Sequence, residues 1–354
     1  MTDKKEIIET TKSKVLVNAS SGSGKTSVLT ERAKYLLQQG EENIVILTFT
    51  NAAAAEMRHR IENSGINLKN TFIGTIHSYA NYLLLCSGYS THQLIENEQF
   101  DELFERIKEN LYCIQSVNHL LLDEAQDSTK QQFEFILDII KPKNYFIVYD
   151  LRQSIYGFND AHPETLIDLM RKNDVTVYSL NINYRSAENI LTFAKGIINR
   201  LGFNFYDDSI PAHKGGQVFK MEFTPENVIN VIKNDKESNY KDWFILLRTN
   251  KELEYIYEQL TAAGIPCDTF KKSELDNNSL EEKLKENTVK VLTTHSAKGL
   301  ESKNVIVGSF PMKNAEEIRV GYVAATRAKE KLYWFQPKKK RTSSKKKNIM
   351  NWED

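Results

Sequence analysis

The sequence predicts an α/β protein made of two parallel-sheet lobes in tandem. Length is the first reason: 354 residues, at roughly 100–200 residues per compact domain, make about two domains. Patterning is the second. Short continuous apolar runs rich in β-branched and aromatic residues alternate with longer helical stretches, which is how strands covered on both faces of a sheet read. The third is that this alternation occurs twice with no Pro/Gly-rich linker between the two series, so the lobes should pack around a cleft. A composition of 40% hydrophobic and 27% charged residues is ordinary for a globular chain.

The first series begins with a strand at Val15–Val17, a glycine-rich turn and an amphipathic helix to Gln39. Strand Ile44–Leu47 leads into a helix over Asn51–Ile61, and strands follow at Phe72-Ile73, His119–Leu122 and Tyr145–Tyr149. The second series is Val175–Leu180, a helix from Ala187, strand Trp243–Leu247, a helix to Ala263, and strands Val289–Leu292, Val305–Val307 and Lys331–Phe335. The boundary is placed at residue 178, giving lobes 1–178 and 179–336. The remainder, 337–354, lacks apolar periodicity and carries seven Lys/Arg and no acid between Lys338 and Lys347; it is expected to be a disordered basic tail.

Lys+Arg and Asp+Glu balance at 47 each, so the body without the tail is mildly acidic. Contact with nucleic acid therefore has to come from a local groove or from the tail, not from global charge. No apolar run approaches the roughly 18 residues that span a bilayer, and the start of the chain has no apolar stretch of signal-peptide length. Cys86, Cys113 and Cys267 stand singly, which excludes a disulfide framework and a CxxC metal site. A reduced cytoplasmic protein without membrane contact is expected.

One segment carries chemistry by itself. Strand Val15–Val17 runs through Asn18 into Ala19-Ser20-Ser21-Gly22-Ser23-Gly24-Lys25-Thr26-Ser27 and then a helix. This is the P-loop pattern with Ala19 at the first glycine. Gly22 and Gly24 let successive N–H groups curl toward phosphate oxygens, the helix start adds partial positive charge, Lys25 supplies a cation and Thr26 a hydroxyl for Mg²⁺. The expected nucleotide ligands are Ala19, Ser20, Gly22, Ser23, Gly24, Lys25, Thr26 and Ser27, with a nucleoside triphosphate and Mg²⁺ as the bound species. A second strand, His119–Leu122, ends in Asp123-Glu124-Ala125-Gln126-Asp127. Asp123 is expected to hold the metal and Glu124 to orient and deprotonate the attacking water.

With further motifs in order, the chain resembles the UvrD/PcrA/Rep-like branch of superfamily 1 DNA helicases. The similar segments are Thr48-Phe49-Thr50-Asn51-Ala52-Ala53, Gly74-Thr75-Ile76-His77-Ser78, the acidic box, Gln153-Ser154-Ile155-Tyr156-Gly157-Phe158 and Asn183-Tyr184-Arg185-Ser186. They continue with Leu247-Arg248-Thr249-Asn250, Thr294-His295-Ser296-Ala297-Lys298-Gly299-Leu300-Glu301 and Tyr322-Val323-Ala324-Ala325-Thr326-Arg327. The resemblance implies two RecA-like lobes with an ATP cleft between them. It implies a catalytic set of Lys25, Glu124, Gln153, Arg185 and Arg327, with Tyr184 near the adenine and Glu301 near the ribose. For single-stranded DNA it implies contacts from Thr48, Phe49, Asn51, Thr75, His77, Tyr156, Phe158, Arg248, Asn250 and His295. Lys298, though inside a motif, reads as a surface lysine and is left out of the catalytic set.

Departures matter as much. Residues 1–14 contain no Gln, and Glu6 sits where the family's adenine-reading Gln is expected. Arg-Gly-Ala after Phe158 is replaced by Asn159-Asp160-Ala161. The stretches Ser78–Asp123 and Asn250–Val291 are too short for the family's accessory subdomains, which should be reduced to stubs or absent. The implied activity is an ssDNA-stimulated, ATP-dependent motor moving 3′ to 5′, in repair, recombination, phage replication or antiphage defence, with a nuclease or a replication or repair protein as candidate partner. The alternative is a nucleotide-gated subunit that regulates a partner nuclease without processive unwinding.

Overall fold

The computed structural model describes residues 4–157, 160–270 and 277–336. Phe158 and the basic tail lie outside the described residues. The first sheet contains β1 (Lys14–Ala19), β2 (Ile44–Thr48), β3 (Thr71–Thr75), β4 (His119–Leu122), β5 (Asn144–Tyr149) and β6 (Thr176–Leu180), in the order β3-β2-β4-β5-β1-β6. A short pair, β7 (Ile182–Asn183) and β8 (Ile210–Pro211), follows. The second sheet contains β9 (Gln217–Glu222), β10 (Trp243–Leu247), β11 (Cys267–Asp268), β12 (Val289–Thr293), β13 (Ser302–Val307) and β14 (Ala328–Gln336), ordered β11-β12-β10-β13-β14-β9. Every strand pairing in both sheets is parallel.

The continuous apolar runs have a simple cause. Successive side chains of a strand point to opposite faces, and both faces of each sheet are covered. Val15, Val17, Leu121, Phe146 and Val148 enter one core of the first lobe, while Leu16, Leu120, Leu122 and Ile147 enter the other. In the second lobe Phe244, Leu246 and Val305 face one core, and Trp243, Ile245 and Ile306 the other.

One expectation is corrected and one strand is added. The boundary at 178 falls inside β6, which pairs with β1 from Thr176 to Leu180; the run Val175–Leu180 closes the first lobe and does not open the second. An apolar run shows that a strand exists but not which sheet takes it, and this one, with Leu180 buried and Val177 exposed, lies at the first sheet's edge. Strand β9 was not anticipated, because Gln217-Val218-Phe219-Lys220-Met221-Glu222 mixes polar and apolar residues at an exposed sheet edge. The stretch after Ser78 forms no separate subdomain, in keeping with the expected reduction. Its helices, Ile76–Cys86, His92–Glu96 and Phe100–Glu109, bury Leu94, Leu103, Phe104 and Ile107 with Tyr79 and Phe135 in the first lobe's own core.

The lobes are also interlocked. Ile155, from the first-lobe segment after β5, is fully buried in the second lobe's core with Val320, Val323 and Phe310. This fixes the segment carrying Gln153 and Tyr156 against the partner lobe.

Candidate active site and nucleic-acid groove

In a parallel sheet the chain leaves every strand on the same edge, so functional loops gather at the carboxyl ends. The loop after β1 turns through Gly22 and Gly24 at φ of 68° and 87°, left-handed values that cost glycine nothing. Gly24 precedes helix Lys25–Gln38 without a side-chain cap, leaving the first-turn N–H groups for an anion. The Ser23 hydroxyl is buried with no hydrogen-bond partner among the described residues. Thr26 Oγ1 donates to Asp123 Oδ2 at 2.8 Å. A hydroxyl and a carboxylate converging beside an anion cradle form an oxygen set suited to Mg²⁺. Ser27 lies on the exposed side of the helix's first turn, and Ala19 is the buried last residue of β1.

The two acids after β4 differ in affinity for a proton. Burial, with Glu124 adjacent, raises the Asp123 carboxyl to about 6. Burial acts on Glu124 in the same direction, but Lys25, Lys298 and Arg327 outweigh it and hold this carboxyl near 2. Glu124 is therefore ionised throughout the neutral range, the state in which a carboxylate can accept a proton, whereas Asp123 takes up its proton in mild acid. Its backbone is left-handed at φ 51°, and Gln126 Nε2 donates to its Oε2 at 2.5 Å.

The second lobe closes the site. Arg185 Nη1 and Arg327 Nη2 each donate to Ser21 Oγ of the P-loop at 3.3 Å, and Arg327 Nη2 also donates to Gln153 Oε1 at 3.2 Å. Arg327 is 1% exposed; burial and the neighbouring Arg185 lower its guanidinium to about 9. A Cβ on Gly22 would come within 2.7 Å of Arg185 Cβ, so only glycine lets the lobes approach this closely. Glu301 accepts from Arg185 Nε at 2.5 Å and pairs with Lys329 at 2.6 Å. Its partial burial is outweighed by these two cations, which hold the carboxyl near 2.

Gly22, Gly24, Tyr184, Arg185 and Glu301 line a cleft of about 850 Å³. At its edge the Lys4 ammonium lies 4.4 Å above the Tyr184 ring centroid. Glu6, expected near the nucleobase, is exposed on the helix Lys4–Ile8. Lys4 is the residue of this helix that reaches the ring.

Sequence reasoning missed Lys298. It is buried, donates to an Asp127 carboxylate oxygen and to Gln153 O (2.8 Å), and stands 4.9 Å over the Tyr156 ring. Its position in the His295–Glu301 motif was the available signal. Asp150, Arg152 and Asp207 were missed as well, having no motif of their own here.

The expected DNA contacts divide. Thr48, Phe49, Thr75 and His77 line one groove of about 440 Å³ at the carboxyl edge of the first sheet. Phe49, 40% exposed, stacks on Tyr156 with centroids 5.1 Å apart. Thr75 caps helix Ile76–Cys86 through a reciprocal bond with Ser78, and His77 packs on Phe104 at 5.3 Å; both have structural work as well. Asn51 starts helix Asn51–Glu62 on the exposed surface. Arg248 and Asn250 follow β10, outside this groove's lining. The His295 ring bonds Ile155 O at 3.2 Å, which makes it part of the lobe interface.

Residues 1–112 and 90–174 match the UvrD/REP helicase N-terminal domain. Residues 178–275 and 268–338 match the UvrD-like helicase C-terminal domain. The ATP-dependent DNA helicase PcrA of Staphylococcus aureus (strain NCTC 8325 / PS 47) is 26% identical over 366 residues, which cover 75% of this chain and 50% of that protein. PcrA of Staphylococcus epidermidis (strain ATCC 12228 / FDA PCI 1200) is 27% identical over 365 residues with the same coverage. The chain thus spans about half the length of the relatives it matches. With one domain model on each lobe and the nucleotide-site residues of both lobes meeting at one cleft, the chain belongs to the UvrD-like helicase family.

Proposed function

We propose that this chain hydrolyses ATP at the cleft between its lobes and couples hydrolysis to movement along single-stranded DNA, 3′ to 5′. One observation carries the reading: Arg185 and Arg327 of the second lobe both reach Ser21 in the P-loop of the first. Charge that develops on a transferring phosphoryl group is then stabilised by guanidinium groups from the opposite lobe, a contribution typically worth about 10³–10⁵ in rate. Hydrolysis depends on closure, and closure shifts the lobes relative to a bound strand.

The chain's own groups have distinct tasks. The loop Ser20–Gly24 and Lys25 hold the phosphates. Glu124, kept ionised, takes the proton of the attacking water. Gln153, bonded to Arg327, ties the reacting end to the segment that ends in Tyr156. Mg²⁺, held by Thr26 and Asp123, would supply charge neutralisation on the phosphates. Phe49 and Tyr156 offer an aromatic platform where bases of any sequence can stack. The tyrosine of this platform is also held from the second lobe by Lys298, so strand binding and closure share a residue.

A second reading, a nucleotide-gated subunit for a partner nuclease or repair protein, draws on exposed apolar side chains at Leu85, Leu111 and Tyr112 of the first lobe. Steady-state ATP turnover with and without oligo(dT), for wild type and Lys25→Ala, tests the motor. DNA-stimulated turnover abolished by Lys25→Ala supports it; turnover unchanged in the variant removes the P-loop assignment. Turnover without translocation on end-labelled strands moves the conclusion to the second reading.

A further inference from the structure

Between β5 and the second lobe runs a buried charged circuit that the roles above leave unused. Asp150, the residue after β5, is fully buried. Its Oδ1 accepts from Arg152 Nε at 2.5 Å and from Arg152 N at 3.2 Å. Its Oδ2 accepts from Gln153 Nε2 at 2.6 Å and lies 3.9 Å from Lys25 Nζ. Its backbone N–H donates to Gln126 Oε1 at 2.9 Å, the same side chain that holds Glu124. The carboxylate thus touches two groups of the proposed catalytic set, and the backbone of the same residue reaches a third through the Gln126 amide.

Arg152 carries this arrangement across the cleft. Its Nη2 bonds Asn18 Oδ1 at 3.2 Å in the first lobe, and its Nη1 reaches Asp207 Oδ1 at 3.5 Å and Tyr206 O at 3.4 Å in the second. Asp207 is 1% exposed and Arg152 3%. The aspartate is itself held: Ser209 N donates to Oδ1 at 3.0 Å and Tyr322 Oη to Oδ2 at 2.8 Å. Tyr322 lies on helix Ala315–Ala325, which leads directly to Arg327.

We infer that Asp207 is a positioning residue for hydrolysis: by sharing Arg152 with Asp150 across the closed cleft, it sets the orientation of Gln153 and the freedom of Lys25. The inference rests on the ATPase reading and deepens it. The physics is competition for one cation. Asp150 faces both Arg152 and Lys25. When Arg152 is divided between two carboxylates, its guanidinium is anchored, and the Asp150 oxygen nearest Gln153 keeps a fixed direction. Without Asp207 the buried guanidinium has one carboxylate left and turns onto it, disturbing the oxygen that orients Gln153. Because Asp207 belongs to the second lobe, this bond ties the segment Asp150–Gln153 to that lobe. The second lobe therefore supplies Arg185 and Arg327 and also aligns groups already in the first lobe.

The test is Asp207→Asn, which keeps the size and a hydrogen-bonding oxygen but cancels the charge. For wild type and variant, ATP turnover with oligo(dT), KM for ATP and thermal midpoint are measured. The expected result is a 10- to 100-fold fall in kcat with KM within threefold. In an Arg152→Gln background the same substitution should change kcat less than twofold, since the intermediary is gone. Arg152→Lys, which keeps the charge but loses the fork, should lie between the two and serves if Asp207→Asn fails to fold. A kcat within twofold of wild type overturns the inference, as does a loss of equal size in the Arg152→Gln background or a rise in KM alone. Wild type without ATP turnover refutes the motor reading and this inference with it; wild-type turnover with an unaffected variant refutes the inference alone.

Discussion

Lys298→Met is the perturbation whose outcome depends most directly on the buried electrostatics. The ammonium donates to Asp127 and to Gln153 O and covers the Tyr156 ring. Methionine keeps the length and the apolar stem while deleting the charge. Breaking a buried pair by removing one partner usually costs about 3–5 kcal/mol, because the other charge is stranded. Asp127, however, has an alternative. Burial raises its carboxyl to about 7 even though Lys298 opposes the shift, and without the lysine it must rise further. Its folded pKa is thus raised above the unfolded value near 3.8, so the folded state favours the protonated form. In both proteins stability falls as pH climbs from the unfolded pKa. The wild-type curve levels off near pH 7, whereas the variant continues downward to its higher pKa. At about pH 6 the two proteins should therefore differ by about 1 kcal/mol, the scale of a single hydrogen bond. At about pH 9 the gap should reach about 3–5 kcal/mol, a midpoint difference on the order of 6–20 °C at about 2–4 °C per kcal/mol. Differential scanning fluorimetry of both proteins across this range reads it directly. A gap that is constant with pH, or that widens toward acid, refutes the reasoning.

Three further outcomes are expected. Arg327→Ala should lower kcat for ATP by about 10³–10⁵ while a fluorescent ADP analogue still binds within tenfold of wild type, as stopped-flow titration would show. Phe49→Ala removes an exposed ring whose stacking with a base is worth about 1–3 kcal/mol. Oligo(dT) affinity by fluorescence anisotropy should fall about 5- to 150-fold, with nucleotide affinity unchanged. Lys4→Gln exchanges a group that can only donate for one that donates and accepts. Since an ammonium suits the O6/N7 edge of guanine, the ratio of kcat/KM for ATP over GTP should rise at least about tenfold, by the scale of one bidentate base contact; an unchanged ratio places Lys4 outside base selection.

Much of the site was legible because its chemistry is local. The glycines of the P-loop, Lys25 and Thr26 lie within one turn of a strand end, and the chain itself imposes their spacing. The strand runs were legible too, since burial on both faces leaves a continuous apolar signature. Lys298 was misread as a surface lysine because a cation's burial depends on a carboxylate, Asp127, far away in sequence and supplied by the other lobe. His295 was assigned to DNA by its motif; its ring also bonds the Ile155 carbonyl, a contact that local sequence does not reveal because it needs the lobes docked. Glu6 was noted by its place in the sequence, whereas on the helix Lys4–Ile8 it is Lys4 that stands over the Tyr184 ring.

Sequence alone determined the two parallel sheets, the glycine loop after β1, the paired acids after β4 and the order of motifs that marks the family. Tertiary structure decided which lobe takes β6, that the Ser78–Asp123 helices complete the first lobe's core, and that Arg327, Gln153, Asp150, Arg152 and Asp207 form one buried circuit. The division has a physical cause. Backbone conformation and face-to-face alternation are settled by neighbours within a few residues, whereas the protonation, burial and pairing of a charge are settled by whatever the folded chain brings within a few ångströms of it.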